Sequence, residues 1–366
     1  MKKIGTITFH APYNYGSALQ ATALQTFLEN NGYEVDILNF YDKLDMRQYK
    51  LFRTHYYFCP PIIYQDLRAY NNNKGRKKSF EDFQNKFMHF TKRQFNNNEE
   101  LKEIANDYDA FICGSDQIWN VACTKGVKKP YYLDFAKDSR AFTMSYAPSI
   151  AHTSIDEKYH KEFAEVVNNI DVISVREKTG QKIIKDITGR DAKVVLDPTL
   201  LLNGIDYEHF ISKDIQTENF VYVYCLEYNK DVYDYAYQLA QKKELKLIYY
   251  RKTDIPKFKN ASNSFNTGPS EFLYYIKNAK YIVTNSFHAT VFSILFKKQF
   301  ITFATKRSSS RMVDFLTTLQ LDSRLSVSNP DMDTLIDYKK VQDLLDQLKQ
   351  DSIDFLLGTL KKGLVE

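Results

Sequence analysis

The stretch with the clearest chemical potential is Tyr281-Ile-Val-Thr-Asn-Ser-Phe-His-Ala-Thr-Val-Phe-Ser-Ile-Leu-Phe296. An apolar, β-branched run, Tyr281–Thr284, gives way to the short polar residues Asn285 and Ser286, and then to His288. From Ala289 the apolar residues recur at helical spacing. Strand, polar turn, helix is the junction at which open α/β sheets hold ligands. The ligand lies beyond the carboxyl end of the strand, at the positive end of the next helix. A histidine there can give or take a proton near neutral pH, beside a place suited to an anion. The other reading is structural, since a lone histidine at such a corner is more often part of the packing.

Three further segments have residue types that suit a ligand. Asn14-Tyr-Gly-Ser17 follows the strand-like run Lys3–Phe9. Gly16 lets the backbone turn, Ser17 is a candidate helix cap, and Asn14 and Tyr15 add polar groups for an anion or a hydroxyl. A well-capped turn with no ligand is the alternative. Gly114-Ser-Asp-Gln-Ile-Trp-Asn120 ends the buried run Tyr108–Cys113. Asp116 could act as a base or accept from a sugar hydroxyl, with Gln117 beside it, while Trp119 reads as core. Thr305-Lys-Arg-Ser-Ser-Ser-Arg311 opens a helix. Lys306, Arg307 and Arg311 there suit a phosphate or carboxylate, because guanidinium forks and helix N-termini both favour anions. The alternative is a solvated basic loop. Arg176, Asp197 and Arg251 each end a strand-like run. Arg176 and Asp197 either line a cleft or form a structural ion pair.

The elements that must position these residues alternate strand and helix along most of the chain. That alternation predicts doubly wound parallel sheets. The pattern restarts after Asn203-Gly204. It therefore divides into a Rossmann-like domain over 1–203, with an irregular insertion over 42–98, and a second over 204–366. The amphipathic tail over 333–366, with Leu335 among its packing positions, is expected to fold back on the first domain. Strands are also expected over Tyr131–Phe135, Arg140–Ile150 and Ala192–Leu202. Length agrees with two domains of ~150 residues or more.

Composition narrows the classes. Hydrophobic residues make up 43% and charged residues 26%, as in soluble globular proteins. With 12 glycines and no glycine-rich nucleotide fingerprint, a dinucleotide cofactor is not expected. The formal charge of +5 suits an anionic small substrate or an anionic membrane surface better than nucleic acid. The aromatic patch Tyr56–Phe58 and the basic run Asn71–Lys78 allow peripheral membrane contact, or else form a helical insertion with a solvated basic face. Cys59, Cys113, Cys123 and Cys225 have no metal-ligand spacing, so no metal is expected. Met1–His10 reads as a first strand rather than a signal peptide, and the expected location is cytoplasmic.

Six segments in order, Tyr13–Ser17, Gly114–Trp119, Ser145–Ser149, Ile173–Glu177, Leu196–Pro198 and Thr284–His288, resemble the polysaccharide pyruvyl transferase family. The resemblance implies a fold like that of the GT-B glycosyltransferases, with two domains facing a cleft. It also implies transfer of pyruvate from phosphoenolpyruvate to two hydroxyls of a sugar or lipid-linked oligosaccharide, as in capsule or cell-wall precursors. No cofactor is implied. On this reading His288 is the acid and Asp116 a base. Asn285, Ser286, Arg251, Lys306, Arg307 and Arg311 attend the donor. Asn14, Tyr15, Gly16, Ser17, Gln117 and Arg176 attend the acceptor. Two positions depart from the family pattern. Ser286 stands where related enzymes often carry an arginine, and Ala289 where a glycine is common, so either the donor's cation comes from Arg251 or the Lys306–Arg311 loop, or the protein uses a different donor. A sugar-nucleotide glycosyltransferase and a non-catalytic glycan-binding protein are the other readings of the same cleft.

Overall fold

The computed structural model describes residues 1–41, 51, 59–252, 255, 257–304, 309–326 and 332–364. The first half contains β1 (Lys3–Ile7), α1 (Tyr15–Asn30), β2 (Glu34–Ile37), α2 (Pro60–Arg68), α3 (Tyr70–Phe87) and α4 (Asn98–Lys102). It continues with β3 (Ala110–Cys113), β4 (Phe142–Ser145), α5 (His160–Asn168), β5 (Ser174–Val175), α6 (Lys178–Thr188) and β6 (Lys193–Val194). The second half contains β7 (Phe220–Tyr224), α7 (Lys230–Lys242), β8 (Lys246–Tyr249), β9 (Ala261–Asn263), α8 (Pro269–Asn278) and β10 (Tyr281–Thr284). After these come α9 (Phe287–Leu295), β11 (Gln299–Phe303), α10 (Ser309–Thr318), β12 (Leu325–Ser326) and α11 (Tyr338–Gly363).

The strands form two all-parallel sheets. The first has the order β2-β1-β3-β4, with β5 and β6 paired beyond it and joined through a bridge from Met144 to Val172. The second has the order β12-β11-β10-β7-β8-β9. Every residue of β3 and of β7 is buried. Helices cover both faces of a parallel sheet, so its central strands read as unbroken apolar runs. In the first sheet the chain leaves β1 for β2 on one side and later returns to β3 on the other. In the second it leaves β7 for β8 and β9, then returns to β10. Each reversal opens a crevice at the carboxyl ends of its two central strands. The crevice of one sheet opens at β1 and β3, that of the other at β7 and β10, and the two face each other.

One apolar core joins the halves, running from Ile4 and Leu19 through Leu200 to Tyr222, Phe272 and Phe292. The helix α11 ties them a second time. Its first residue, Tyr338, donates to the Lys298 carbonyl in the second half. Further along, Ser352 Oγ accepts from Leu196 N at 3.0 Å, and Asp351 pairs with Lys193 at 2.8 Å.

Some expectations fail locally. Tyr131–Phe135 is not a strand. It forms two 3-10 turns, 129–132 and 134–136, split by Leu133 in the left-handed region at φ 59°. In Ala192–Leu202 only Lys193–Val194 is strand, because Asp197 caps a 3-10 turn that begins at Pro198. Leu335 lies outside α11 and is exposed. The described part of the 42–98 segment holds two helices, α2 and α3. Tyr56–Phe58 lies outside the described residues. Trp119 is buried and stacks on Tyr132. Among the described residues, no helix is long and apolar enough to cross a membrane.

Candidate active site

The end of β10 is held by its own short side chains. Thr284 Oγ1 accepts from Ser286 N at 3.0 Å. Asn285 accepts from Leu226 N at 2.9 Å and donates to the Glu227 carbonyl at 2.8 Å, tying down the loop after β7. Ser286 caps α9, its hydroxyl accepting from Ala289 N at 3.4 Å. These contacts fix His288 in the first turn of α9, where its ring packs against Gly16 of α1. Asn14 caps α1, its Oδ1 accepting from Gly16 N at 2.9 Å and Ser17 N at 3.3 Å. Ser17 then donates to Asp116 at 2.5 Å, which joins the β1 corner to the β3 corner.

Behind His288 lies Asp197, fully buried. Its Oδ2 stands 3.6 Å from His288 Nε2, 2.5 Å from Arg176 Nη1 and 3.2 Å from Ser115 Oγ. Its Oδ1 accepts from Thr199 N at 3.0 Å and Thr199 Oγ1 at 2.7 Å. Burial alone would raise this carboxyl. The charges of His288 and Arg176 and the Thr199 hydrogen bonds outweigh it and hold Asp197 well below the usual carboxylate range. His288 Nε2 makes no hydrogen bond of its own.

Two guanidiniums complete the group. Arg176 lies over the Phe287 ring at 5.0 Å, and its Nε and Nη2 have no hydrogen-bond partner. Arg311, in the first turn of α10, donates to Ser149 Oγ at 3.3 Å and leaves Nε without a partner. Burial, with the repulsion of Arg176, pushes Arg311 down to about 10, still charged at neutral pH. Nearby, Glu177 Oε1 accepts from Ser149 Oγ at 3.0 Å and from Ile150 N and Ala151 N at 2.8 and 3.0 Å. Buried charge is costly unless met by a partner. The two buried guanidiniums repel each other and leave three nitrogens without a hydrogen-bond partner, a donor set whose chemistry suits an anion.

A cavity of about 590 Å³ opens in front of this group. Asn14, Asp116, Gln117, Asn285, His288 and Arg311 all line it, so the structure brings together six of the residues singled out from sequence. Asn120, His152 and Glu227 line it too and were not foreseen. Asn120 closes the Gly114–Asn120 corner and was legible there; His152 and Glu227 sit in loops without a pattern. Asp197 was noted only as one end of a cleft or an ion pair, and the structure makes it the centre of the buried charges.

Other expected site residues are placed elsewhere. Tyr15 is fully buried, stacked between Phe80 and Phe272, and is not available to an acceptor. Gly16 serves as the space His288 occupies, and Ser17 reaches the cavity only through Asp116. Ser286 is spent on the helix cap. Arg176 pairs with the buried Asp197 and does not line the 590 Å³ cavity. The Arg251 guanidinium covers the Tyr228 ring at 3.8 Å and does not line the cavity either. Lys306 and Arg307 lie outside the described residues. Among the described residues, no three His, Cys, Asp or Glu side chains are placed to hold a metal ion.

The model of the family described as polysaccharide pyruvyl transferase matches residues 14–307, most of the chain. The protein belongs to the polysaccharide pyruvyl transferase family. The matched span runs from the Asn14 cap through β10 and α9, and so includes every cavity residue named above except Arg311. A comparison with curated proteins finds no match. Among solved structures, a UDP-GlcNAc 2-epimerase from Methanocaldococcus jannaschii is similar with a TM-score of 0.54 and 10% identity, over 94% of this chain and 92% of that one. Arabidopsis thaliana UGT89C1 complexed with UDP-L-rhamnose is similar with a TM-score of 0.51 and 9% identity, over 99% and 97%. At such identities the likeness is one of fold: this pyruvyl transferase family member has the GT-B architecture of two Rossmann-like domains facing a cleft.

Proposed function

We propose that the protein transfers pyruvate from phosphoenolpyruvate to two hydroxyls of one sugar in a polysaccharide precursor, giving a cyclic ketal and phosphate. One observation carries this reading. His288, with Nε2 free of hydrogen bonds, stands between the Asp197–Arg176 pair and a polar cavity, beside the buried Arg311.

The chemistry fits those groups. Phosphoenolpyruvate has a carboxylate and a phosphate on the carbon next to its methylene, and Arg176 and Arg311 offer unpartnered N–H groups to such an anion. The His288 imidazolium gives its proton to the methylene carbon, which becomes a methyl. The adjacent carbon then has oxocarbenium character, and a sugar hydroxyl oxygen bonds to it, losing its proton to a base. On this reading Asp116, which accepts from Ser17 and lines the cavity, is that base. The bond to the phosphate oxygen breaks and phosphate leaves. The second hydroxyl bonds to the same carbon and loses its proton in turn, which closes the ketal. Asn14, Gln117 and Asn285 line the cavity with amides that can both donate to and accept from hydroxyls. No step requires a metal or an organic cofactor. The acceptor class is a glycan precursor, soluble or lipid-linked, on the cytoplasmic side.

The test is incubation with phosphoenolpyruvate and a panel of free, nitrophenyl and lipid-linked sugars. Phosphate release matched by a product carrying one added pyruvate ketal is expected. Thermal stabilisation by a sugar nucleotide, with none by phosphoenolpyruvate and no ketal product, would overturn the reading.

A further inference from the structure

Arg76 lies in Asn71-Asn-Asn-Lys-Gly-Arg-Lys-Lys78, a run that reads as solvated, yet it is buried. Among the described residues it has no carboxylate partner within ion-pair distance. Its guanidinium instead lies 4.9 Å from the Tyr15 ring, 4.7 Å from Phe80, and 5.1 Å from both Tyr250 and Phe265. Two of these rings come from the first domain and two from the second. Burial would lower the arginine, but the surrounding tyrosines raise it, so it remains charged. Four aromatic faces supply what a carboxylate otherwise would.

The hydrogen bonds of Arg76 bear on the site. Nη1 donates to Tyr15 Oη at 3.2 Å and to the Phe265 carbonyl at 3.3 Å, and Nη2 donates to the Tyr13 carbonyl. Tyr13 and Tyr15 flank Asn14, which both caps α1 and lines the cavity. The next residue, Gly16, is the floor under His288, and Ser17 holds Asp116. One guanidinium thus grips the turn that sets Asn14, His288 and Asp116 and fastens it to the 264–268 loop of the other domain. The same loop is closed by Tyr15 Oη against Thr267 at 3.1 Å and by Gly268 against the Ser79 backbone.

We propose that Arg76 is a positioning residue, which registers the Tyr13–Ser17 turn of the first domain against His288 of the second. The proposal rests on the function above for its kinetic part only. It requires a planar, multidentate donor within an aromatic box, which neither lysine nor methionine reproduces.

The experiment compares Arg76→Met, Arg76→Lys and Tyr15→Phe with the wild type. The readouts are kcat and KM for phosphoenolpyruvate per folded molecule, melting temperature, and the NMR resonance of His288 in histidine-labelled protein, assigned with His288→Gln. The expected result is a kcat loss of tenfold or more in Arg76→Met with a displaced His288 resonance. Arg76→Lys should recover only part of it, and Tyr15→Phe should shift the resonance in the same direction by less. A lower melting temperature with kcat and the His288 resonance both unchanged would make Arg76 a structural residue only and overturn the proposal. If Arg76→Met does not fold, Tyr15→Phe and Arg76→Lys decide by the same two readouts. The resonance needs no turnover, so a wild type inactive with phosphoenolpyruvate would sink the functional reading and leave this one to be judged by NMR.

Discussion

Gly16 and His288 touch across the cleft: a β-carbon at Gly16 would overlap the imidazole ring. The glycine is the only residue that lets α1 and α9 approach this closely. Within a helix, Gly→Ala ordinarily stabilises by about 0.5–1 kcal/mol. Here the added methyl must displace the histidine. Gly16→Ala is therefore expected to fold with near-normal melting while losing at least a hundredfold in turnover. Melting curves and steady-state rates on the same preparation check both halves.

His288 is the proposed proton donor, and His288→Gln keeps its size and polarity without its acid. The expected result is loss of ketal formation by a thousandfold or more, with phosphoenolpyruvate binding retained because Arg176 and Arg311 are intact. Single-turnover product formation and calorimetric titration separate chemistry from binding.

The buried Asp197 balances Arg176 and His288. Asp197→Asn leaves Arg176 without its counter-ion, and breaking a buried pair costs about 3–5 kcal/mol. Because the carboxyl is depressed in the fold, its contribution is complete above the unfolded value of ~3.9 and is lost only in stronger acid. The variant should thus be less stable than the wild type throughout the neutral range. Urea unfolding at pH 5 to 8 reads this directly.

Among the described residues, Arg311 is the one foreseen lysine or arginine that lines the cavity. Arg311→Met removes a buried guanidinium that is repelled by Arg176, so the apo protein should lose little stability. The donor should bind at least tenfold more weakly, with sugar binding unaltered. Phosphoenolpyruvate dependence of the melting temperature distinguishes this from a general defect.

His10 tests the buried polar groups away from the site. Burial lowers it from 6.5 to about 4, although its Nδ1 faces the Thr8 carbonyl at 3.3 Å. The folded protein holds this histidine neutral, so the unfolded chain binds the proton first. Its stability contribution is complete above ~6.5 and is lost as the pH falls towards 4, by about 3 kcal/mol in all. Between pH 6.5 and 4 the wild type should lose stability with acid, and His10→Phe should show a flatter slope. Urea midpoints across that range measure the difference.

Much of this architecture was written locally. Apolar runs such as Phe220–Tyr224 gave central strands, because both faces of a parallel sheet are covered. The corners at Asn14–Ser17, Gly114–Asn120 and Thr284–His288 announced themselves by short polar residues at strand ends. The chain by itself therefore determined two doubly wound sheets, the family, and a histidine at a strand-to-helix corner. Tertiary structure decided which of those corners meet, and what each charge does there. Tyr15 went into the core, and Arg176 paired with the buried Asp197. Arg76, in a run that looks solvated, became a buried link whose partners lie 61 and 189 residues away. Periodicity reports the face a residue turns towards its own sheet. The burial of a charge depends on distant groups that only the closed cleft brings within a few ångströms.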